Sequence, residues 1–296
     1  MDLPLISIVS VNYNQPDHTR EFLDSIYQSD YPNIEVILVD NGSENPIDAN
    51  LESEFSHLRC IFSKRNLGFA GGNNIGLKKA KGEFIFLLNN DTILQKNFFC
   101  QMVSFFSEHK DAGIASPKIL YPSGRLQYAG SKKINPITGR GGKIGWNQED
   151  KGQFDQCYPT AYPHGAAMVI RREVLETVGL MPEEYFLYYE ELDWTNTIRK
   201  SGFEVYYVGT SSITHKESIS VGKESPLKLY YLNRNRLLYL KRNSSTLEFF
   251  LGSLFYLFVS LPKHTFSYLM NGEYKQLRAS LRGLAWHINK KYVFNH

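Results

Sequence analysis

Arg65-Asn66-Leu67-Gly68-Phe69-Ala70-Gly71-Gly72-Asn73-Asn74, followed by the apolar run Phe84-Ile85-Phe86-Leu87-Leu88 that closes on Asn89-Asn90-Asp91, decides how this chain is read. Glycines let a backbone approach a diphosphate closely, and an Asp at the end of a buried strand is placed to hold a divalent cation against it. Taken singly, a Gly/Asn cluster reads as a turn and an Asp after a strand as a helix cap. In this order the two halves read together as a nucleotide-sugar site.

Outward from that stretch, residues 1–115 alternate strand-like and helix-like segments. Strands are expected near Ile6–Val11, Glu35–Val39, Leu58–Phe62, Glu83–Leu88 and Gly113–Ala115. Helices are expected near Asp17–Gln28, Ile47–Phe55, Asn73–Ala80 and Asn97–His109. Such a βαβα alternation predicts a mainly parallel sheet covered on both faces, an α/β class. Ligands of these sheets bind at the carboxyl ends of strands, where Asn12-Tyr13-Asn14, Asp40-Asn41-Gly42-Ser43 and Asn89-Asn90-Asp91 fall. No G-x-G-x-x-G follows the first strand, which argues against a dinucleotide dehydrogenase.

The chain has 296 residues, 42% hydrophobic and 21% charged, enough for one large core or a domain and a half. Cys60, Cys100 and Cys157 form no C-x-x-C, so neither a disulfide framework nor a zinc site is expected, and a reducing cytoplasm fits. Met1-Asp2-Leu3-Pro4 leads into a strand-like run without a basic, cleavable leader. Charge is uneven: residues 223–296 hold twelve Lys/Arg against Glu224, Glu248 and Glu273, so the tail is +9 and residues 1–222 are −6.

A basic tail rich in Phe, Leu, Tyr and Trp has an anionic surface as its natural partner, either nucleic acid or membrane. Its periodicity favours membrane. The run from Leu247 to Leu261, ended by Pro262-Lys263, is short for a bilayer span of roughly 17–25 apolar residues and reads as a helix lying in the interface. In Tyr274 to Lys291, Leu277, Leu281, Leu284, Ala285 and Ile288 face one way and Lys275, Arg278 and Arg282 another. The alternative is a helical subdomain packed on the core or forming a homodimer.

Three segments carry a resemblance. Ile6-Ser7-Ile8-Val9-Ser10-Val11-Asn12-Tyr13-Asn14, Val36-Ile37-Leu38-Val39-Asp40-Asn41-Gly42-Ser43, and Arg65 through Gly76 resemble the family 2 inverting glycosyltransferases of GT-A fold. Downstream, His164-Gly165-Ala166-Ala167-Met168-Val169-Ile170-Arg171-Arg172-Glu173-Val174-Leu175 and Tyr188-Tyr189-Glu190-Glu191-Leu192-Asp193 resemble the acceptor-side segment and acidic motif of that family's rhamnosyltransferase-like branch. The similarity covers about residues 5–222. It implies a glycosyltransferase domain over 1–222, with a nucleotide-sugar half to about 115 and an acceptor half beyond, followed by the basic amphipathic tail.

The resemblance also implies roles. Asp40 accepts from the imide of a uracil or thymine ring, Asn12 lies beside ribose or base, Asn66 and Gly68 border the nucleotide, and Arg65 lies near its phosphates. Asn89, Asn90 and Asp91 occupy the D-x-D-like motif, in which Asp91 ligates Mn2+ or Mg2+; Asn89 and Asn90 stand where a first acid occurs. His215 matches a histidine that serves some relatives as a second metal ligand, and an imidazole favours Mn2+. His164, Gly165, Ala166 and Trp194 fall on the sugar and acceptor side. The acidic motif supplies the base, placed at Glu191 with Glu190 in support, and Asp193 sits at the tip of a helix over Leu192–Lys200. Residues 121–162 form a long Gly-, Lys- and Pro-containing stretch, either a cover over the donor or a contact to an acceptor diphosphate.

The expected activity is inverting transfer of a sugar, L-rhamnose from dTDP-rhamnose with a UDP-sugar as runner-up, to a saccharide acceptor, lipid-linked, in surface polysaccharide assembly. The expected location is the cytoplasm, peripheral on the inner face of the cytoplasmic membrane, with no nucleic-acid partner. Nucleotide-sugar binding without turnover is the competing class.

Overall fold

A computed structural model describes residues 3–216 and 225–290. The expected domain boundary at 222/223, the charges of Lys223, Glu224 and Lys291, and the Met1-Asp2 start lie outside the described residues.

The chain runs β1 (Ile6–Asn12), α1 (Pro16–Tyr27), β2 (Ile34–Asp40), α2 (Leu51–Glu54), β3 (Leu58–Phe62), α3 (Gly68–Leu77) and β4 (Phe84–Leu88). β5 (Thr92–Leu94), α4 (Phe98–Glu108), β6 (Ala112–Leu120), β7 (Leu126–Tyr128), β8 (Ser131–Lys132), β9 (Gly142–Lys143) and β10 (Cys157–Pro159) follow. After these come β11 (Ala167–Arg171), α5 (Arg172–Val178), a 3-10 turn Glu183–Tyr185, α6 (Glu190–Lys200) and β12 (Glu204–His215). Four helices close the described chain: α7 (Pro226–Asn243), α8 (Thr246–Phe255), α9 (Leu261–Met270) and α10 (Tyr274–Ala285).

Strands lie in the order β10-β12-β6-β11-β4-β1-β2-β3, with β5 on β12 and β7 on β6. The β4-β1-β2-β3 half is wholly parallel, and β12 runs parallel to β6. β11 enters antiparallel between β4 and β6 and joins the halves. All five residues of β4 are buried, because the strand is covered on both faces. Its alternation sends Phe84, Phe86 and Leu88 into the core beneath α1 and α4, and Ile85 and Leu87 into the core beneath α3, α5 and α6.

Where elements depart from expectation, the reasons are local. Helix α3 starts at Gly68, five residues ahead of the expected Asn73, so the glycines lie inside a helix and not in a loop. A Cβ on Gly76 would sit 2.3 Å from Val9 Cγ1 and one on Gly72 2.9 Å from Val11 Cγ1, so these glycines let α3 press on β1. The Ile47–Phe55 helix shrinks to one turn, because the Asp48 side chain takes the Asn50 amide and the Ile47 amide donates to Asp40. β6 extends to nine residues because it gains partners on both edges. The Leu247–Leu261 run does not end at Pro262: a π turn, Tyr256–Ser260, carries the helix without a break into α9, and Pro262 follows directly where the regular ladder is already interrupted.

The tail is packed onto the body through α7. Ser225 caps α7, accepting from the Lys228 amide, and Ser245 with Glu248 forms a capping box on α8. Gly283 of α10 lets that helix meet α7, since a Cβ there would be 2.6 Å from the Tyr230 carbonyl oxygen. Exposed apolar side chains concentrate in α8, the π turn, α9 and α10: Phe250, Leu257, Phe258, Phe266, Met270 and Leu281. Among the described residues no helix is long and apolar enough to cross a membrane.

Candidate active site

The carboxyl ends of β1, β2 and β4 meet in one polar network. Asn12 donates to Asp40 Oδ2 at 2.8 Å, and its own Oδ1 accepts from Thr19 Oγ1 at 3.0 Å and Asn90 Nδ2 at 3.3 Å. Asp40, buried at the end of β2, also accepts from the Ser43 amide at 3.0 Å and the Ile47 amide at 3.1 Å. A carboxylate offers about four acceptor positions, so these three contacts leave room for one more donor. Asn41 spans the next turn: its Oδ1 takes the Leu67 amide, and its Nδ2 reaches Asn66 Oδ1 and the Gly68 carbonyl. Asn66 Oδ1 also takes the Gly68 amide at 2.8 Å. Arg65 is exposed at the mouth of this turn.

Gly68, at φ +73°, ties the nucleotide half to the acidic motif. A Cβ there would fall 2.1 Å from the Phe186 carbonyl oxygen, the same oxygen that accepts the Phe69 amide at 2.7 Å. Only glycine fits so close an approach in that conformation.

Asp91 and His215 come together across the sheet, with His215 Nε2 3.1 Å from Asp91 Oδ1. Both side chains are buried. Gln127 Oε1 lies 2.8 Å from His215 Nδ1 and accepts its proton, which turns the Nε2 lone pair toward Asp91. Asp91 Oδ1 has no hydrogen-bond partner among the described residues, so a carboxylate oxygen and an imidazole nitrogen face each other as two electron-pair donors. That pair fits a divalent cation. Among the described residues no cluster of three or more His, Cys, Asp or Glu surrounds it. Asn89 Nδ2 lies 3.5 Å from the same imidazole nitrogen, whereas Asn90 turns away to Thr19 Oγ1 at 2.8 Å.

The acidic motif sits at the start of α6 on a contorted approach: Phe186, Tyr188 and Tyr189 have φ of +63°, +69° and +77°. Burial drives the Glu190 carboxyl well above the usual carboxylate range, with the Glu191 charge adding to it. Burial also lifts Glu191, to about 7, against the opposing pull of backbone amides and the Lys143 ammonium. One acid is therefore held neutral beside another poised near neutrality, as proton abstraction requires. Asp193 is held at both oxygens, accepting from Arg242 Nε at 2.8 Å and Asn243 Nδ2 at 2.6 Å.

His164 meets His215 edge-on with ring centres 6.1 Å apart, and Gly165 and Ala166 lead from it into β11. Trp194 is elsewhere: it is a core residue of the α6 face, its indole N–H given to the Gly179 carbonyl at 3.0 Å.

Residues that sequence reasoning assigned to a charged tail hold the acidic motif in place. Asn235 Nδ2 reaches the carbonyls of Tyr185, Leu187 and Tyr188 at 2.9, 2.7 and 2.8 Å. Arg234 donates to the carbonyls of Glu184 and Tyr185 and lies 4.7 Å from the ring centres of both Tyr231 and Trp286. The available signal was Asn233-Arg234-Asn235, polar groups set between Tyr230-Tyr231-Leu232 and Leu237-Leu238-Tyr239-Leu240 in one helix.

A mostly parallel sheet with its polar network at the strand ends, an Asp–His pair beyond β4 and an acidic motif on the facing helix define a glycosyltransferase of GT-A fold. The glycosyl transferase family 2 profile matches residues 7–179, and the chain belongs to that family. It is 26% identical over 230 residues to the dTDP-rhamnosyl transferase RfbF of Shigella flexneri, covering 71% of this chain and 72% of that one. It is 22% identical over 245 residues to the N-acetylglucosaminyl-diphospho-decaprenol L-rhamnosyltransferase of Mycobacterium tuberculosis, covering 74% and 78%. Against the uncharacterized protein y4gI of Sinorhizobium fredii it is 27% identical over 266 residues, 83% of this chain, yet it spans only 28% of that protein's length. Among solved structures, S. aureus TarS 1-349 in complex with UDP-GlcNAc superposes with a TM-score of 0.60 at 16% identity, covering 97% of this chain and 82% of that one. The mannosyltransferase PcManGT of Pyrobaculum calidifontis, in complex with GDP-Man and Mn2+, gives 0.58 at 15% identity, covering 96% and 75%.

Proposed function

We propose that this glycosyltransferase moves L-rhamnose from dTDP-rhamnose, with inversion, onto a lipid-linked saccharide in surface polysaccharide assembly. The observation that carries the mechanism is a Glu191 carboxyl raised to about 7 in the same molecule as a buried Asp91–His215 pair. Glu191 takes the proton from the acceptor hydroxyl as that oxygen attacks the sugar carbon opposite the leaving diphosphate, so the carbon inverts. Glu190 stays protonated and offers a hydrogen bond to sugar or acceptor. Asp193, held by Arg242 and Asn243, positions the start of α6. Asp91 and His215 would hold Mn2+ or Mg2+, which supplies charge stabilisation for the departing diphosphate when bound. Asp40 has one acceptor position left for a pyrimidine imide, Asn12 and Asn90 brace it, and Asn66 and Gly68 shape the turn beside the nucleotide, with Arg65 at its edge.

The rhamnosyl donor rests on likeness to RfbF and the mycobacterial enzyme, whose names give the sugar. The lipid-linked acceptor rests on the second of those names and on the exposed apolar side chains of α8 to α10, interspersed with Lys263, Lys275 and Arg278, a composition suited to the anionic inner face of the cytoplasmic membrane.

The test is thermal stabilisation and transfer with dTDP-rhamnose, UDP-sugars and GDP-sugars, in Mn2+ and in EDTA, on wild type and Asp91→Asn. The reading expects a response to dTDP-rhamnose that both EDTA and Asp91→Asn abolish. Transfer from UDP-sugars alone would replace the donor, and full activity in EDTA would remove the metal.

A further inference from the structure

The turn between β8 and β9 is closed on itself. The Asn135 amide donates to the Arg140 carbonyl at 3.0 Å and the Gly139 amide to the Asn135 carbonyl at 2.8 Å, while Asn135 Oδ1 accepts the Ile137 and Thr138 amides. It is seated on the tail. A Cβ on Gly139 would fall 2.7 Å from Arg236 Cγ of α7, and one on Gly252 of α8 would fall 2.7 Å from the Ile137 carbonyl oxygen. The turn thereby sets the exposed Arg140 beside the half-buried Arg236.

Arg236 lies with its guanidinium 5.5 Å from the Tyr256 ring centre, and its Nε has no hydrogen-bond partner among the described residues. Burial and the Arg236 charge hold the Arg140 guanidinium below its ordinary value, and the other groups that bear on it are the Tyr189 and Tyr256 phenols, neither of them a carboxylate. Two guanidinium charges so placed repel one another, and a ligand with two negative groups relieves both. Arg140 spends one N–H on His264 Nε2 of α9, at 3.3 Å, and a guanidinium has five. The others remain for a ligand on its solvent side.

The two arginines are tied to the base on one hand and to the apolar surface on the other. The Tyr189 hydroxyl donates to the Gly139 carbonyl at 2.9 Å, and Glu190 and Glu191 follow Tyr189 directly. Helix α9, which carries His264, exposes Phe266 and Met270, and the π turn before it exposes Leu257 and Phe258. A lipid-linked saccharide presents the same succession of sugar, anion and hydrocarbon.

We propose that Arg140 and Arg236 bind the diphosphate that joins lipid to saccharide in the acceptor. This rests on the lipid-linked acceptor of the proposed function and names the residues that recognise it. The long stretch then serves the acceptor and not the donor.

The experiment is calorimetric binding of farnesyl diphosphate and farnesyl monophosphate to the full chain in EDTA, which removes a metal-assisted alternative at Asp91 and His215. Binding of dTDP in Mn2+ and sedimentation with phosphatidylglycerol vesicles are measured beside it, for wild type, Arg140→Gln and Arg236→Gln. Arg140 is exposed, so its replacement decides the question even if Arg236→Gln unsettles α7. Loss of a charge-assisted hydrogen bond predicts that Arg140→Gln weakens farnesyl diphosphate by about tenfold or more and leaves the monophosphate, dTDP and the vesicles within about threefold. Unchanged diphosphate affinity would overturn the proposal. An equal loss for the vesicles would overturn it by giving Arg140 to lipid headgroups, and an equal loss for dTDP by giving it to the donor. If wild type bound dTDP but no farnesyl diphosphate, this inference would fall and the donor reading would stand; if it bound farnesyl diphosphate but no dTDP, the donor reading would fall and Arg140→Gln would still decide this one.

Discussion

Replacing Asn235 by Ala tests whether the tail helix sets the geometry of the base. The amide group has two N–H bonds for three carbonyls at 2.7 to 2.9 Å, so one hydrogen is shared, and its Oδ1 accepts Arg234 Nε at 2.7 Å. Arg234 still reaches the Tyr185 carbonyl in the variant, which leaves Leu187 and Tyr188 as the carbonyls that lose this donor. Two buried acceptors deprived of a partner cost about 2–5 kcal/mol. For a chain of this size that lowers Tm by roughly 4–10 °C. The same clamp opposes the strain of Phe186, Tyr188 and Tyr189, three side-chain-bearing residues at positive φ costing about 1–3 kcal/mol each. Relaxing that turn shifts Glu190 and Glu191, which follow it directly, and a displacement of about 1 Å lowers kcat by roughly a hundredfold. Nucleoside diphosphate binding, which the proposed function puts at the ends of β1, β2 and β4, should stay within about twofold of wild type. Thermal melts, calorimetry and initial rates measure all three. A variant with the lowered Tm but wild-type kcat would refute the reasoning, because the clamp would then hold the fold and not the base.

Glu191→Gln should lower kcat/KM by roughly a hundredfold while binding nucleotide normally. In wild type kcat/KM should climb with pH and level off above about 7, and Glu190→Gln should leave that limb in place. Because the folded-state carboxyl titrates above its ordinary value of 4.5, ionising it costs stability across the window from there to about 7. Glu191→Gln should therefore raise Tm relative to wild type at pH 8 and not at pH 4; an unchanged difference between the two would place the buried charge elsewhere. Gly76→Ala should cost about 1–3 kcal/mol by pressing a methyl onto Val9, and an unshifted Tm would show that α3 does not sit where close packing requires. The full chain should sediment with anionic vesicles at low salt and release as salt rises, and Phe258→Ser with Phe266→Ser should weaken this; identical sedimentation of the variant would assign those side chains to another surface.

Much of the parallel half was readable because its signals are local. β3 falls on its expected residues, and β1, β2 and β4 within a residue or two, since each is an unbroken apolar run bounded by polar or turn residues. The strand ends that carry Asn12, Asp40 and Asp91 followed from those boundaries. Glycine was the misleading signal. Gly71, Gly72 and Gly76 are as compatible with a phosphate loop as with a helix pressed on a strand, and only the approach of Val9, Val11 and Leu67 distinguishes the two. Likewise Trp194 lies on the same side of α6 as Glu190 and Glu191, four and three residues past them, yet its ring is sealed in the core with its N–H on the Gly179 carbonyl.

What could not be read was inward charge. Counting Lys and Arg along the tail treats each as a group facing solvent, but Arg234 is spent on the Glu184 and Tyr185 carbonyls and Arg242 on Asp193. These pairings join residues some fifty positions apart, and no periodicity encodes a partner at that distance. The consequence reaches the experiments. Trp286, just beyond α10, stacks on Arg234, and His287 Nε2 lies 2.8 Å from the Arg234 carbonyl, so the helix bearing exposed apolar residues also backs the clamp on the base. Cutting the chain after α7 would strip Arg234 of the Trp286 ring and unsettle Glu191, and lost activity would then say nothing about a membrane. Side-chain changes confined to the exposed residues of α8 to α10 keep α7 covered, and so separate a surface that docks the enzyme from a helix that shapes its active site.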